Sequence, residues 1–480
     1  MSEKVKLEGL RDRLHRGVKL LIDSKEISSV KEAYDLLESY RITCVVGPEI
    51  ATSPTLQAAL LTAVNAGRRA CLGGVRVLGC PPDALLLVPS PYGPATTVQE
   101  ALHAVNPDGE VFSPDIRPGE PMIVFGSADQ AVTQLREAGA GLAIRVTFDG
   151  WCSGVTPVVD SFRLGEQQEF TLAGVLAGAL AVSECFQHLR KTNVQAMRRT
   201  VGMSLWRPDL GADGGNAWVS ETGPKTSRLP LPSALWLLGL GHLGQAYLWA
   251  LMLLPYADPS SVHLVLQDYD EITESGLSTG LLSEFAMLGQ KKTRALTQVV
   301  ERRGFQTSLV ERRFDERLRV GPDDPQILLC GVDNLNARRF LESPGFAEVI
   351  EAGLGHTAQE YLEAHLHMFP STRTASEVWS VGQEDGSETD SLLELPAYAA
   401  LRSDSQDTCG VVQVAGAAVG VPFMGAVAGA LAVAEAIRAT MMDGPRFEVV
   451  DMSLRDPMRR TAVKRRICAA GKTLPYSLSH

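Results

Sequence analysis

Residues 234–254, ALWLLGLGHLGQAYLWALMLL, decide the fold of this chain. The first five residues have the apolar pattern of a buried strand, and the last thirteen have that of a buried helix. Between them, Gly239, Gly241 and Gly244 form a GxGxxG turn. In such a turn the first glycine permits the tight bend, the second lets a phosphate approach the backbone, and the third permits close helix packing. The stretch predicts a nucleotide-binding α/β unit.

Charged residues follow the next strands of this unit. Asp268 comes 24 residues after Gly244, where a carboxylate meets ribose hydroxyls, and Asp270 and Lys292 come after it. Asp333 ends a later apolar run. An enzyme that cleaves ATP between its α- and β-phosphates needs carboxylate oxygens for Mg²⁺ and a cation on the phosphates. The set predicts an ATP site, although a helix N-cap is an alternative role for Asp333.

A short repeat indicates a second unit of the same kind. Residues 174–184 read GVLAGALAVSE and residues 425–435 read GAVAGALAVAE, with eight of eleven positions identical at an offset of 251. Each copy closes a region in which strand patterns alternate with helix patterns, which predicts two Rossmann-like α/β units with mainly parallel sheets. Convergence of two alanine-rich buried helices is the alternative. The first unit lacks GxGxxG and Asp-x-Asp, so we expect it to be chemically silent.

The predicted organisation has N-terminal helices, a first unit, a linker, a second unit with a cysteine-bearing loop near 372–410, and a tail. In that order, these parts span residues 1–40, 41–206, 207–232, 233–450 and 451–480. The basic cluster of the tail is expected to be solvated. The uncharged stretch between Asp407 and Glu435 is rich in Gly and Ala, which favours a buried helix over a membrane span.

Composition excludes several classes of function. The chain has 480 residues, 45% of them hydrophobic, and a net charge of −11, which argues against a broad nucleic-acid surface. Its eight cysteines form no CxxC pair, so no zinc site is expected. The first seventeen residues lack an apolar signal core. We expect a cytoplasmic protein with no membrane partner.

The ordered motifs of residues 234–440 resemble the ThiF/MoeB/ubiquitin-activating enzyme superfamily. That family shows GxGxxG, then DxDxxxxSNLxRQ, then GxxK, and then a strand that ends in DN. The resemblance implies a nucleotide turn, ribose-side acids, a phosphate lysine, a magnesium aspartate and a DNxxxR motif. The matching residues are, in that order, Gly239, Gly241 and Gly244; Asp268 and Asp270; Lys292; Asp333; and Asn334 with Arg338.

The chain departs from the family pattern at two positions. Gly276 replaces the asparagine that follows the serine, and Thr279 replaces the arginine. Both family residues approach phosphate, so either those contacts come from elsewhere or adenylation is weaker. In this family an arginine also reaches in from the N-terminal helix of the partner unit, and Arg11, Arg13 and Arg16 are candidates that spacing does not separate.

Cys409, in SDSQDTCGVV, is the predicted nucleophile. The family carries a cysteine at a comparable place before an apolar helix, where a thiolate attacks an acyl-adenylate and forms a thioester. A small buried residue at a loop–helix junction is the alternative. Cys152, in DGWCSG, has the surroundings of an exposed residue and is the second candidate, whereas Cys330 lies in an apolar strand and is expected to be core.

The resemblance implies a fused pair of adenylation units, one inactive and one active, that forms a pseudo-dimer within a monomer or a homodimer. ATP and magnesium are the implied cofactors, and a ubiquitin-like protein and a conjugating-enzyme-like protein are the implied partners. The compact size resembles bacterial ubiquitin-activator-like proteins of antiphage operons. The alternatives are a ThiF/MoeB-type adenylyltransferase for a sulfur-carrier protein or peptide, an NAD-binding oxidoreductase, and a catalytically dead scaffold.

Overall fold

A computed structural model of the chain contains two β-sheets with helices packed on their faces, and a short two-stranded sheet. The structure describes residues 10–107, 109, 117–211, 215–220, 223–380, 391–404, 408–441, 443–466 and 474–479.

The first sheet has six strands. They are β1 Ile42–Val46, β2 Val75–Leu78, β3 Met122–Phe125, β4 Ala143–Asp149, β5 Cys152–Pro157 and β6 Val201–Ser204. Their order in the sheet is β2-β1-β3-β4-β5-β6. The pairs among β1 to β4 are parallel, and β5 pairs antiparallel with both β4 and β6.

The second sheet has eight strands. After β7 Pro230–Pro232, they are β8 Ala234–Leu238, β9 His263–Gln267, β10 Gln306–Val310, β11 Ile327–Cys330, β12 Glu348–Leu354, β13 Glu363–Phe369, β14 Phe447–Ser453 and β15 Arg460–Lys464. Their order is β10-β9-β8-β11-β12-β13-β14-β15, parallel from β10 to β12 and antiparallel beyond. The last strand, β16 Tyr476–Leu478, pairs with β7.

The helices connect these strands and cover the sheets. They are α1 Leu10–Arg13, α2 Arg16–Asp23, α3 Val30–Ser39, α4 Pro54–Ala70, α5 Val98–Val105, α6 Asp129–Glu137, α7 Thr171–Leu189, α8 His242–Leu253, α9 Glu274–Leu277, α10 Lys292–Arg302, α11 Leu335–Arg339, α12 Ala375–Val378, α13 Pro396–Asp404, α14 Thr408–Ala415 and α15 Pro422–Thr440.

The two sheets share one strand order. The run β2-β1-β3-β4-β5-β6 of the first sheet corresponds to β9-β8-β11-β12-β13-β14 of the second, with the same strand directions. In the first unit α4 follows β1, and the long helix α7 lies between the antiparallel strands β5 and β6. In the second unit α8 follows β8, and the long helix α15 lies between β13 and β14. The predicted mixed α/β fold with parallel, Rossmann-like sheets is therefore confirmed.

The glycines of the repeated segment permit close packing of the long helices. A Cβ on Gly178 of α7 would lie 2.3 Å from the carbonyl oxygen of Ala59 in α4, and one on Gly429 of α15 would lie 2.9 Å from the carbonyl oxygen of Ala246 in α8. Both long helices are apolar enough to cross a membrane by length and composition alone. In each helix, 89% of the most apolar stretch is buried inside the protein, so both are core helices.

The core is continuous between the two units. The rings of Phe186 in α7 and Phe423 in α15 lie 5.5 Å apart, and the residues of both units belong to one apolar cluster. The indole N–H of Trp249 in α8 donates to the hydroxyl of Thr62 in α4 at 2.9 Å. The two units thus pack against each other through their helices and share one apolar core.

The prediction of a tail is wrong for the described residues after position 450, although Arg459, Lys464 and Arg466 of its basic cluster are exposed as expected. Strand β14 spans the predicted boundary, and β15 extends the same sheet. Arg460 is 6% exposed, and Arg465 forms an ion pair with Glu348 at 2.8 Å. The segment 207–232 is also packed, because Trp218 is fully buried and β7 pairs with β16. The β7–β16 pairing and the hydrogen bond from Arg460 to the carbonyl oxygen of Leu210 join residues about 250 positions apart, so local composition did not reveal them.

Candidate active site

The glycine turn between β8 and α8 has the geometry that its sequence predicts. Gly239 has a φ of 82°, a left-handed conformation that favours glycine. A Cβ on Gly244 would lie 2.0 Å from the carbonyl oxygen of Gly239, so only glycine fits there. A Cβ on Gly241 meets nothing within 4 Å, and no side chain caps α8 at this residue. The N-terminus of α8 is therefore open to an anion.

The acids after β9 are held against this turn. Asp268 is buried, and its carboxylate accepts hydrogen bonds from the backbone N–H groups of Leu240 at 2.7 Å and Asp270 at 2.8 Å. Lys292, the first residue of α10, places its ammonium 3.2 Å from the carboxylate of Asp270 and 3.7 Å from that of Asp268. The structure thus brings together the two predicted ribose-side acids and the predicted phosphate lysine.

The residues after β11 take different roles. Asn334 caps α11, because its side-chain oxygen accepts from the backbone N–H groups of Asn336 and Ala337. Asp333, whose alternative role was that cap, is exposed and makes no hydrogen bond or ion pair within the part of the chain that the structure describes. The guanidinium of Arg338 forms an ion pair with the buried Glu351 at 3.0 Å.

Arg16 is the N-terminal arginine that reaches the second unit. Its backbone N–H donates to the hydroxyl of Ser278 at 3.1 Å, and its guanidinium lies 3.5 Å from the hydroxyl of Ser275 and 3.3 Å from the carbonyl oxygen of Ala418. These residues belong to the loop that follows the acids and to the segment that precedes α15. Spacing alone did not separate Arg16 from Arg13, which is exposed.

The charge of Arg16 is coupled to Asp333. Burial and the nearby charge of Arg11 lower the pKa of the Arg16 guanidinium, and the carboxylates of Asp12 and Asp333 act against that shift. The carboxylate of Asp333 therefore acts on the charge of Arg16, although 317 positions separate the two residues in the chain.

The two departures from the family pattern are structural replacements. Gly276 lies in the short helix α9, and its N–H donates to the hydroxyl of Thr273 at 3.3 Å. Thr279 is 6% exposed, and its methyl group would lie 3.3 Å from a Cβ on Gly420. Thr279 thus fills space between the loop and the segment that precedes α15.

His242 begins α8, within the glycine turn. Burial lowers the pKa of its ring to about 4, so the ring is neutral at physiological pH. A Cβ on Gly425 would lie 2.4 Å from Nε2 of His242, which fixes the ring against the N-terminus of α15. That nitrogen is inaccessible to solvent and lacks a hydrogen-bond partner among the described residues.

The first unit carries a carboxylate at the corresponding edge. After β1, residues 48–51 form a 3-10 turn in which the carboxylate of Glu49 accepts from the backbone N–H of Ser127 at 2.9 Å. The same carboxylate oxygen lies 2.8 Å from the position of a Cβ on Gly47 and 2.5 Å from that of one on Gly126. The carboxylate of Glu49, with the charge of Arg163 acting on it, thus occupies this edge of the first unit. The silence of this unit stays a prediction.

The cysteine predictions have three outcomes. Cys152, the second candidate nucleophile, is 1% exposed with its sulfur 2.9 Å from the carbonyl oxygen of Trp218, so its expected exposure is wrong. Cys330 is fully buried in β11, as expected. Cys409 is the second residue of α14, and its side chain lies outside the described part of the chain, as does the polar stretch 381–390.

Helix α2 contacts both the acid-bearing loop and the cysteine-bearing segment. Beyond Arg16, the buried Lys19 pairs with Asp23 and donates to the carbonyl oxygen of Ala415, the last residue of α14, at 3.1 Å. Tyr398 of α13 donates to the carboxylate of Asp23 at 2.6 Å. Sequence reasoning missed this network, because nothing in the pattern of α2 distinguishes a buried Lys–Asp pair from an exposed one.

Comparison with known proteins places the chain in a family. Residues 41–205 match the BilD N-terminal domain and residues 231–443 match the BilD C-terminal domain. The chain is 40% identical over 440 residues to the bacterial E1-like protein BilD of Collimonas sp. (strain OK412). The aligned region covers 91% of this chain and 90% of that protein. The chain belongs to the BilD family. The predicted membership of the E1-like superfamily is thereby confirmed.

Solved structures share less with this BilD family member. Two crystal structures of E. coli MccB, one of them with MccA-N7isoASN, are 14% and 12% identical to it, with TM-scores of 0.31 and 0.32. The aligned regions cover 52% and 51% of this chain and 67% of each MccB chain.

Proposed function

We propose that this protein activates the C-terminal carboxylate of a ubiquitin-like protein with ATP at the carboxyl edge of the second sheet. The carboxylate attacks the α-phosphorus of ATP, pyrophosphate leaves, and an acyl-adenylate forms. The first unit, with Glu49 at the matching edge, is the inactive member of a pseudo-dimer within one chain. Membership of the BilD family, whose curated member is called E1-like, supports the adenylation step.

The convergence of Asp268, Asp270 and Lys292 on the open glycine turn carries the proposal. A nucleotide at this turn would place its ribose near the two carboxylates and its phosphates near the ammonium and the N-terminus of α8. Arg16 adds a second cation from the N-terminal helices. Negative charge develops on the phosphates during the reaction. Two cations and a helix N-terminus stabilise that charge.

The residues present also fit a magnesium ion. Mg²⁺ is held by one or two carboxylates together with substrate phosphates rather than by an all-protein cage. Asp333 is an exposed carboxylate without a partner among the described residues, and no group of three or more metal-ligating side chains occurs among them. Bound there, the ion would neutralise phosphate charge. Asp333 would hold it, close to Arg16.

We further propose that Cys409 receives the acyl group. Its thiolate attacks the acyl carbon, AMP leaves, and a thioester forms before transfer to a conjugating-enzyme-like protein. The position of Cys409 near the start of α14 supports this role, because Lys19 of α2 bonds the end of that helix. The same α2 carries Arg16 to the nucleotide edge. Activity in the cytoplasm, beside partners encoded in one antiphage operon, completes the proposal.

ATP–pyrophosphate exchange tests the first step. Exchange should require a ubiquitin-like partner, and Asp333→Asn should reduce it by more than about 100-fold, since the variant removes the carboxylate charge that would hold the magnesium ion. Asp323→Asn is the matched control, because Asp323 is an exposed carboxylate at the other end of β11. Full exchange in Asp333→Asn would refute the magnesium role. Tight NAD binding without ATP binding would instead favour an oxidoreductase.

Intact-mass measurement tests the second step. A thiol-labile adduct between the two proteins should form with ATP and disappear in Cys409→Ala, while Cys152→Ala keeps it because Cys152 is buried. Exchange without any adduct would favour the ThiF/MoeB-type alternative, in which the acyl-adenylate passes to a sulfur carrier or peptide. An adduct that persists in Cys409→Ala would contradict the assignment of the nucleophile.

A further inference from the structure

A cavity of about 890 Å³ lies at the junction of the two units. Its walls come from the first unit, the joining segment and the end of α8 with the residues after it, and they include Leu86, Phe170, Leu229, Leu253 and Tyr256. These side chains are apolar or aromatic, and the volume is in the range of pockets that enclose small organic ligands. The junction cavity is separate from the glycine turn, because the end of α8 rather than its beginning contributes to it.

A polar group without a partner points to a ligand in the junction cavity. Thr171 is 4% exposed, and its hydroxyl has no hydrogen-bond partner among the described residues. Burying a hydroxyl without a partner is energetically costly, so native structures rarely keep one unless another molecule satisfies it. Two other buried wall hydroxyls are paired: that of Thr226 donates to the carbonyl oxygen of Glu169, and that of Tyr256 donates to the carbonyl oxygen of Pro232, both at 2.8 Å.

The same residue begins a long helix whose N-terminus is uncapped. Thr171 is the first residue of the nineteen-residue α7, and the preceding Phe170 supplies no side-chain cap. The first N–H groups of a helix have no partner within it and favour negative charge. By contrast, the neighbouring α4 is closed, since Glu169 and Ser53 accept from its first backbone N–H groups.

The formal charge around the junction cavity is also positive. Lys225 and Arg303 line it, and neither has a carboxylate partner within the residues that the structure describes. Arg303 donates to the carbonyl oxygens of Met252 and Leu254 at the end of α8, which orients its guanidinium. The single wall carboxylate, Glu169, is engaged by Ser53 and Thr55.

We propose that the junction cavity binds a small amphipathic carboxylate, with its apolar body between the two units and its carboxylate at Thr171 and the N-terminus of α7. The hydroxyl of Thr171 and the N–H groups of Thr171 and Leu172 donate to the carboxylate, since the N–H of Ala173 already donates to the carbonyl oxygen of Phe170 at 2.9 Å. Lys225 and Arg303 provide long-range attraction. Because the walls belong to both units and to the segment between them, the ligand binds only the assembled chain and stabilises it. This inference does not depend on the proposed adenylation.

Calorimetric titration of the full chain with decanoate, below its micelle-forming concentration, tests the proposal. Decanoate should bind with one site and raise the unfolding temperature, decanol should bind at least about tenfold more weakly, and decyltrimethylammonium should not bind. These three probes share one apolar body and differ in the head group. Equal affinity for all three, or no binding of decanoate, would overturn the proposal.

Variants locate the site. Thr171→Val keeps the shape of the side chain and should weaken decanoate by about tenfold while leaving decanol unchanged. Leu87→Glu, at a rim residue that is 46% exposed, should weaken decanoate through repulsion without disturbing the core. Val159→Glu, 74% exposed and outside the cavity, is the matched control and should bind as the wild type does. Wild-type affinity in both Thr171→Val and Leu87→Glu would refute the location.

Discussion

The backbone N–H of Arg16 donates a hydrogen bond to the hydroxyl of Ser278 at 3.1 Å, across 262 positions of the chain. Ser278 lies in the loop that replaces the family's phosphate-binding asparagine and arginine with Gly276 and Thr279. The bond fixes the start of α2 at the nucleotide edge of the second unit. An element from outside that unit thus completes the candidate site.

Loss of the Arg16 guanidinium should therefore disable adenylation without unfolding the protein. We expect Arg16→Ala to reduce ATP–pyrophosphate exchange by about 100-fold or more, because a charge-assisted contact to phosphate is removed. Arg16→Lys should restore only part of the activity, since a lysine lacks the fork of donors. Arg13→Ala, a change at an exposed neighbour, should leave exchange intact. Equal losses in the Arg13 and Arg16 variants would contradict the assignment.

Two glycines of the turn should respond to alanine in opposite ways. Gly241→Ala leaves the fold intact, because its Cβ enters open space, but that Cβ occupies the path of a phosphate, so ATP binding should fall at least about tenfold. Gly244→Ala forces a Cβ to within 2.0 Å of the oxygen of Gly239 and should lower the unfolding temperature. Thermal unfolding with and without ATP separates the effects. A destabilised Gly241→Ala variant would be incompatible with the open geometry.

Acid should lower the free energy of unfolding by protonating His15, the residue that caps helix α2. Its Nδ1 accepts from the backbone N–H of Gly17 and its Nε2 lies 3.1 Å from the carbonyl oxygen of Arg69, so the neutral ring caps the helix. Burial lowers the pKa of His15 from 6.5 to about 4. Because the unfolded chain binds the proton first, this contribution is complete above pH 6.5 and is lost as the pH falls towards 4. The loss amounts to about 3 kcal/mol.

Denaturant unfolding between pH 7 and pH 4.5 measures this effect. His15→Asn keeps an N-cap acceptor but does not titrate, so its free energy of unfolding should depend less steeply on pH than that of the wild type. His242 has a similar pKa of about 4 and retains its own share of the slope in that variant. Identical slopes in the wild type and in His15→Asn would show that His15 is not buried in its neutral form.

The repeated glutamates at the ends of the two copies should differ in their effect on stability. Burial acts to raise the pKa of Glu435, but Arg438 and Arg446 outweigh it and hold that pKa below its usual range. For Glu184, burial prevails over Arg199 and raises the pKa. Glu435→Gln should cost about 3–5 kcal/mol by leaving Arg438 buried without its charge partner. Glu184→Gln should cost less than half as much in the same denaturant titration, and equal costs would contradict this comparison.

Local sequence was sufficient to predict the candidate nucleotide site at the carboxyl edge of the second sheet. The strand–turn–helix of residues 234–254 and the acids after the next strand follow each other closely in the chain, so their adjacency is dictated by the βαβ connection. The position of Lys292 could be predicted equally well, because this residue begins the helix that returns over the same sheet. The repeat of small residues correctly indicated two buried long helices.

Contacts between distant segments could not be predicted from local sequence in this way. Arg16, Arg11 and Arg13 are alike in sequence, and only the packing of α2 against the second unit separates them. Cys152 has polar neighbours in sequence, yet the segment that carries Trp218 covers it. Strand β15 is short and charged, and pairing with β14 rather than composition makes it part of the sheet.

The contact between Phe186 of α7 and Phe423 of α15 has a consequence for how the chain reaches its native state. Each long helix completes its burial only when the other is in place, so the halves form a single cooperative folding unit. Translation delivers the first half well before the second, which leaves one face of α7 exposed on the nascent chain. A gene split in the joining segment would turn that intramolecular step into a concentration-dependent association.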